Sequence, residues 1–315
     1  MPQAPVLLLA LNPDTLDQDL RTQVEEAAVG LRVVVTRDRA EIEALLPEIE
    51  VAAAYFPRDL LLKAPNLKWF QQWAAGTDWL LKHPEFNDRK FEITNASGVH
   101  AVQITEHIIG VLLAFARRLP QAFKAQGEKQ WKPSRGDEVF ELYGKRMLLV
   151  GVGAIGARTA QIADALGMKV TGIRRDPSKS VPGVESMHAP DELRELLPTA
   201  DFVVLTAPLT EESRGMFGEA EFELMKPSAY LVNIGRGGTI VEAELIEALR
   251  NGLIAGAALD VFEQEPLPDG SRLWELENVI VTAHYSGASP EYDRRAVALL
   301  VSNLGTHRVA ERRSE

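Results

Sequence analysis

Three charged residues stand just past apolar runs late in the chain. Arg236 follows residues 230–234 within Asn233-Ile234-Gly235-Arg236-Gly237-Gly238, Glu265 follows residues 257–260, and His284 follows residues 279–283. Such runs read as strands of a parallel sheet, and parallel sheets bind ligands beyond the carboxyl ends of their strands, so the three side chains are expected to converge. An arginine grips a carboxylate with paired hydrogen bonds and polarises a neighbouring carbonyl, each charged bond contributing about 1.5–3 kcal/mol. A histidine oriented by a carboxylate can donate a proton to a developing alkoxide, an effect of about 100 to 10,000 fold. Together they suit proton transfer on an anionic 2-oxo or 2-hydroxy acid.

Upstream lies Gly151-Val152-Gly153-Ala154-Ile155-Gly156, directly after an apolar run at 147–150 and before a helical pattern at 157–162. In a strand-to-helix setting the first glycine permits a tight turn, the second lets the backbone approach a pyrophosphate, and the third lets helix and strand pack closely. The N–H groups at the start of the following helix, those of Ala154, Ile155 and Gly156, favour phosphate. Where NAD-binding versions place an acidic residue for the ribose, 18 positions beyond Gly156, this chain has Arg174 followed by Arg175. Two guanidinium groups pair with a 2'-phosphate, so NADP(H) is favoured, with NAD(H) still allowed if Asp176 takes the ribose instead.

The elements that must position these residues follow from periodicity. Apolar runs at 6–11, 31–36, 51–56, 67–73 and 91–95 alternate with amphipathic stretches, which predicts a first small doubly wound sheet. A long apolar pattern at 105–119, ended by Pro120, predicts a buried helix leading out of the first domain, and residues 121–144 are expected to form an exposed arm or loop. Runs at 146–150, 170–173, 202–206, 230–234, 255–259 and 279–283 predict a second doubly wound sheet. A helical stretch at about 290–304 is expected to pack back on the first domain.

Composition narrows the class of partner. With 315 residues, two domains are expected. A net charge of −11 without a basic stripe argues against nucleic acid and anionic membrane. The absence of cysteine excludes disulfides, thiolate metal sites and cysteine nucleophiles, which suits a cytoplasmic setting. The opening residues lack a basic leader, and no run reaches the length of a membrane span. His100 and the pair Glu106-His107 are read as helix entry and packing rather than metal ligands.

On the segments 151–156, 206–210, 233–238, 258–266 and 282–284, the chain resembles the D-isomer-specific 2-hydroxyacid dehydrogenase family over nearly its whole length. The resemblance implies an α/β protein with two doubly wound parallel-sheet domains and a cleft between them. One is a flavodoxin-like substrate domain, 1–97 plus 286–315, and the other a Rossmann dinucleotide-binding domain, 98–285. It implies that Arg236 binds and polarises substrate, that Glu265 supports His284 as general acid or base, and that Asp260 holds the nicotinamide carboxamide. Ala207, Pro208, Ile234 and His284 join the glycine loop around the cofactor, and the Ala75 and Gly76 N–H groups meet the substrate carboxylate. A homodimer is implied, with contacts from residues 112–119 and the arm around Trp131.

By the same resemblance, a small 2-oxo acid of the glyoxylate or hydroxypyruvate type leads as substrate. A nicotinamide-nucleotide-sensing corepressor-like protein and a phosphite dehydrogenase are the alternatives. Two departures blur the substrate: Ala283 stands where the family usually has proline, and Tyr285-Ser286-Gly287 differs from the commonest sequel.

Overall fold

A computed structural model describes residues 4–314, with Asp78 and residues 307–314 described by backbone alone. Met1, Pro2 and Gln3, part of the opening stretch read above as leaderless, lie outside the described residues. The chain divides into two compact units, residues 1–100 with 289–315, and residues 101–288.

The first unit is built on β1 (Val6–Ala10), β2 (Arg32–Val35), β3 (Ile49–Ala54), β4 (Trp69–Gln72) and β5 (Glu92–Thr94), all parallel in the order β2-β1-β3-β4-β5. All five predicted runs are strands. Because side chains alternate across a strand, β1 feeds two apolar layers at once. Leu7 and Leu9 pack with Leu20 and Val24 of the helix Gln18–Ala27 and with Val297 and Leu300 of the C-terminal helix. Val6 and Leu8 pack on the other face with Ile42, Leu60 and Phe70. That is why the run is apolar throughout rather than alternating. The C-terminal helix spans Tyr292–Ser314, longer than its periodicity suggests, and it covers this sheet.

The second unit holds β6 (Arg146–Val150), β7 (Lys169–Ile173), β8 (Ser186–His188), β9 (Phe202–Leu205), β10 (Tyr230–Asn233), β11 (Gly256–Leu259) and β12 (Val279–Val281). They form one parallel sheet in the order β12-β11-β10-β9-β6-β7-β8. The direction of winding reverses between β6 and β9, which opens a crevice at their carboxyl ends. Leu148, Val150, Val203 and Leu205 face one layer, and Met147, Leu149, Phe202 and Val204 the other.

Three local expectations are corrected. The buried helix is Ala101–Ala116 and stops before Pro120. Residues at the start of the expected arm are helical, Leu119–Gly127, because Pro120 lies in the first turn, where its missing N–H costs no hydrogen bond. Arg118 turns the chain between the two helices with φ +53°. Strand β8, polar and only three residues long, was not foreseen: it is a sheet edge with no apolar run to announce it. Among the described residues no helix is long and apolar enough to cross a membrane.

Candidate active site

The glycine loop sits at the reversal point of the second sheet. Gly151 takes φ +101°, and a Cβ there would lie 2.5 Å from the Ala207 nitrogen at the end of β9. A Cβ on Gly156 would lie 2.6 Å from the Gly151 carbonyl oxygen, so the helix Ala154–Ala165 can approach the loop only without a side chain. The Thr206 hydroxyl donates to that same carbonyl. Gly153 behaves differently, since a Cβ there would meet nothing within 4 Å. It faces open space, and no side chain caps the helix that begins after it. The uncapped N–H groups of Ala154, Ile155 and Gly156 therefore suit a phosphate, as a pyrophosphate-binding loop requires.

Arg174 follows β7 directly, its N–H donating to the His188 carbonyl. Among the described residues neither Arg174 nor Arg175 forms an ion pair with the protein, although the charge of Arg175 helps hold the Glu212 carboxyl below its ordinary range. Asp176, the competitor for a ribose, has its carboxylate engaged: Oδ1 accepts from the Ser178 N–H at 3.2 Å and hydroxyl at 2.5 Å, and Oδ2 lies 3.5 Å from Lys179 Nζ. The Ser178 bonds hold the Asp176 carboxyl below its ordinary range.

Of the three charged residues at the sheet edge, two are in direct contact. His284 Nδ1 lies 2.6 Å from Glu265 Oε2, and Glu265 Oε1 accepts from the Phe262 N–H at 3.0 Å. An ionised carboxylate only accepts, so Nδ1 carries the hydrogen and Nε2 is left for proton exchange. His284 holds φ +50°, an uncommon conformation for a residue with a Cβ, fixed by its N–H to the Thr282 carbonyl at 3.1 Å.

Asp260 is buried, and its carboxylate accepts from the Thr282 hydroxyl (2.6 Å) and the N–H groups of Tyr285 and Ser286 (3.1 Å each). It thus grips the segment on both sides of His284, a role its spacing did not reveal. Arg236 stands beyond β10, and its Nη1 donates to the Gly235 carbonyl at 2.7 Å. The turn carrying it is held by the buried Asn233 amide, which donates to the Arg236 carbonyl and accepts from the Gly235 N–H. Ile234 continues the ladder to Leu205, and the Pro208 carbonyl accepts from the Ser213 hydroxyl.

In the first unit, the loop after β4 turns successive carbonyls inward. Gln72 Nε2 donates to the carbonyls of Ala74 (2.8 Å) and Gly76 (2.6 Å), and Asn95 Nδ2 to that of Ala75 (2.7 Å). Gln72 Oε1 in turn accepts from Trp79 Nε1 at 2.6 Å. With their carbonyls so engaged, Ala75 and Gly76 keep N–H groups that have no acceptor within the described residues. Neither Gln72 nor Asn95 stands out in the sequence, where both sit near the ends of predicted strand runs like any strand-end amide.

Comparisons with known proteins point to one family. Residues 109–286 match the model of the D-isomer specific 2-hydroxyacid dehydrogenase, NAD binding domain. The chain is 34% identical over 286 residues to a glyoxylate reductase of Korarchaeum cryptofilum, covering 89% of this chain and 83% of the relative. It is similar in structure to a D-isomer specific 2-hydroxyacid dehydrogenase of Xanthobacter autotrophicus Py2 in complex with NADPH and MES, with TM-score 0.82, 30% identity and coverage of 98% and 96%. It also resembles an NADPH-dependent glyoxylate/hydroxypyruvate reductase of Sinorhizobium meliloti in complex with NADP and sulfate, with TM-score 0.79, 28% identity and coverage of 99% and 96%.

Proposed function

The chain belongs to the D-isomer specific 2-hydroxyacid dehydrogenase family, NAD(P)-dependent enzymes, and on that premise we propose that it reduces a small 2-oxo acid of the glyoxylate or hydroxypyruvate kind to the D-2-hydroxy acid, with NADPH preferred. The observation that carries this reading is the 2.6 Å contact between His284 Nδ1 and Glu265 Oε2 at the carboxyl edge of a sheet that begins with a pyrophosphate-type loop.

The loop fits a dinucleotide: Gly153 faces open space, Gly151 and Gly156 are required for close packing, and the N–H groups after Gly153 are uncapped. A bound nicotinamide supplies or accepts the hydride. The chain supplies the proton: Glu265 orients the imidazole, Nε2 of His284 exchanges the proton with the substrate oxygen, and Arg236 pairs with carbonyl and carboxylate. Asp260 keeps the His284 segment in place, and Ala207, Pro208 and Ile234 line the strand ends beside the loop. Arg174 and Arg175, neither in an ion pair among the described residues, suit a 2'-phosphate. The N–H pair of Ala75 and Gly76, without an acceptor among the described residues, suits a carboxylate.

The relatives' names favour glyoxylate and hydroxypyruvate. Exposed Trp131, Phe123 and Leu119 are apolar surface of the kind that pairs subunits, and a homodimer is part of the proposal. The test is oxidation of NADPH and of NADH over glyoxylate, hydroxypyruvate, pyruvate and phenylpyruvate. Turnover is expected with the two small oxo acids and NADPH; no turnover with any of the four would overturn the reading.

A further inference from the structure

We infer that His107, on the helix Ala101–Ala116, is a positioning residue for His284, acting through a hydrogen-ordered chain from His107 to Thr282 to Asp260 and into the backbone beyond His284. The inference rests on the reading of His284 as proton donor. His107 Nε2 lies 3.3 Å from Thr282 Oγ1, and Thr282 Oγ1 lies 2.6 Å from Asp260 Oδ1. Asp260 then accepts the N–H groups of Tyr285 and Ser286.

The direction of the chain follows from the chemistry of its members. A buried carboxylate accepts, so the one proton of the Thr282 hydroxyl goes to Asp260. The Thr282 oxygen can then only accept from His107, which must carry hydrogen on Nε2. The Tyr285 ring stands edge-on to the His107 imidazole, with centroids 6.1 Å apart, and closes the side of the chain. Burial holds His107 below the ordinary histidine range, against the pull of Asp260, the charged group that acts on it; the ring is therefore neutral near pH 7 and its Nδ1 needs no counter-charge.

The consequence lies in the backbone of His284. A side chain with a Cβ keeps φ +50° only where its surroundings determine it on both sides. Thr282, one partner of the chain, accepts the His284 N–H through its own carbonyl, while Asp260 holds Tyr285 and Ser286. His107 ties Thr282 to a helix that is itself fixed to the dinucleotide-loop helix by the Thr105 to Thr159 hydroxyl contact at 3.1 Å. The imidazole of His284 is thereby referred to the same helix pair as the glycine loop.

The test compares His107→Leu with His107→Gln, whose amide can replace the Nε2 donor. His107→Leu is expected to lower kcat for the oxo acid about tenfold, the worth of one buried hydrogen bond, with KM for NADPH within about twofold, and His107→Gln to restore most of it. Added to Thr282→Val, His107→Leu should lower kcat no further. Imidazole nitrogen spectra of the unliganded native chain should show His107 with hydrogen on Nε2. Native kcat in His107→Leu, failure of His107→Gln to rescue, or hydrogen on Nδ1 would each overturn the inference. His284→Ala run alongside separates the two readings: if it retains turnover, the assignment of His284 fails, while the nitrogen spectra still judge the His107 chain. If His107→Leu does not fold, His107→Gln and the spectra decide.

Discussion

Gly151 and Ala207 meet backbone to backbone across the reversal point of the second sheet: a Cβ on the glycine would lie 2.5 Å from the Ala207 nitrogen and 2.6 Å from its Cα. The contact joins the loop after β6 to the loop after β9, the two segments that frame the crevice. Gly151→Ala adds an atom where backbone must yield and forces a side chain onto φ +101°. A loss of roughly 2–5 kcal/mol of stability is expected, read by urea unfolding, together with weaker NADPH binding. Native stability in this variant would contradict the packing described.

The His284 to Glu265 contact predicts a separation of chemistry from binding. His284→Ala is expected to lower kcat about 100- to 10,000-fold while the dissociation constant for NADPH, followed by nicotinamide fluorescence, stays within about twofold. Glu265→Gln keeps a side chain of the same shape but removes the charge that orients the ring, and a smaller fall in kcat is expected. Equal loss of coenzyme binding and turnover would show that the pair is structural.

The proposed preference for NADPH assigns the 2'-phosphate to Arg174 and Arg175. Replacing both with alanine should raise KM for NADPH about 10- to 100-fold, from the loss of charged hydrogen bonds, and leave KM for NADH nearly unchanged. A native enzyme that prefers NADH tenfold would refute the assignment outright.

Gln72 tests the proposed substrate-carboxylate role of the loop after β4. Gln72→Leu strips the donors from the carbonyls of Ala74 and Gly76 and the acceptor from Trp79. The loop N–H groups lose their fixed direction, so KM for the oxo acid should rise about tenfold, with kcat less affected and stability lower by about 1–3 kcal/mol from the unpaired groups. An unchanged KM beside a lowered melting temperature would assign Gln72 to folding alone.

These residues differ in how visible they are before folding. The strands of both sheets are legible because burial on two faces writes a continuous apolar run; Arg236, Glu265 and His284 each have ordinary structural reasons to stand where they do and draw notice only together, beyond successive strands, and of their expected convergence the structure shows the contact of His284 with Glu265. The glycine loop carries its own spacing. Gln72, Asn95 and Asn233 are hidden, since an amide that serves its own loop leaves no pattern. Strand β8 is hidden because an edge strand of Ser186, Met187 and His188 needs no apolar run. Pro120 was read as an end when its place in a first turn makes it a beginning, and only the left-handed Arg118 before it settles which.

His107 is the least visible of all, 175 residues from the hydroxyl it meets, and its burial makes a prediction about stability that is independent of turnover. Desolvation lowers its folded pKa from the ordinary 6.5, although Asp260 pulls the other way. Below pH 6.5 the unfolded chain binds a proton at His107 that the folded chain refuses, so unfolding is favoured progressively as pH falls from that value to the lowered one, and His107 adds no pH dependence above it. His107→Gln cannot take up that proton in either state. Urea unfolding at pH 7.5 and 5.5 should therefore show a larger drop for the native chain than for His107→Gln, the difference between the two drops isolating His107 from the other histidines and carboxylates. Equal drops would mean that the imidazole titrates alike folded and unfolded, and the neutral donor that Thr282 requires would lose its physical cause.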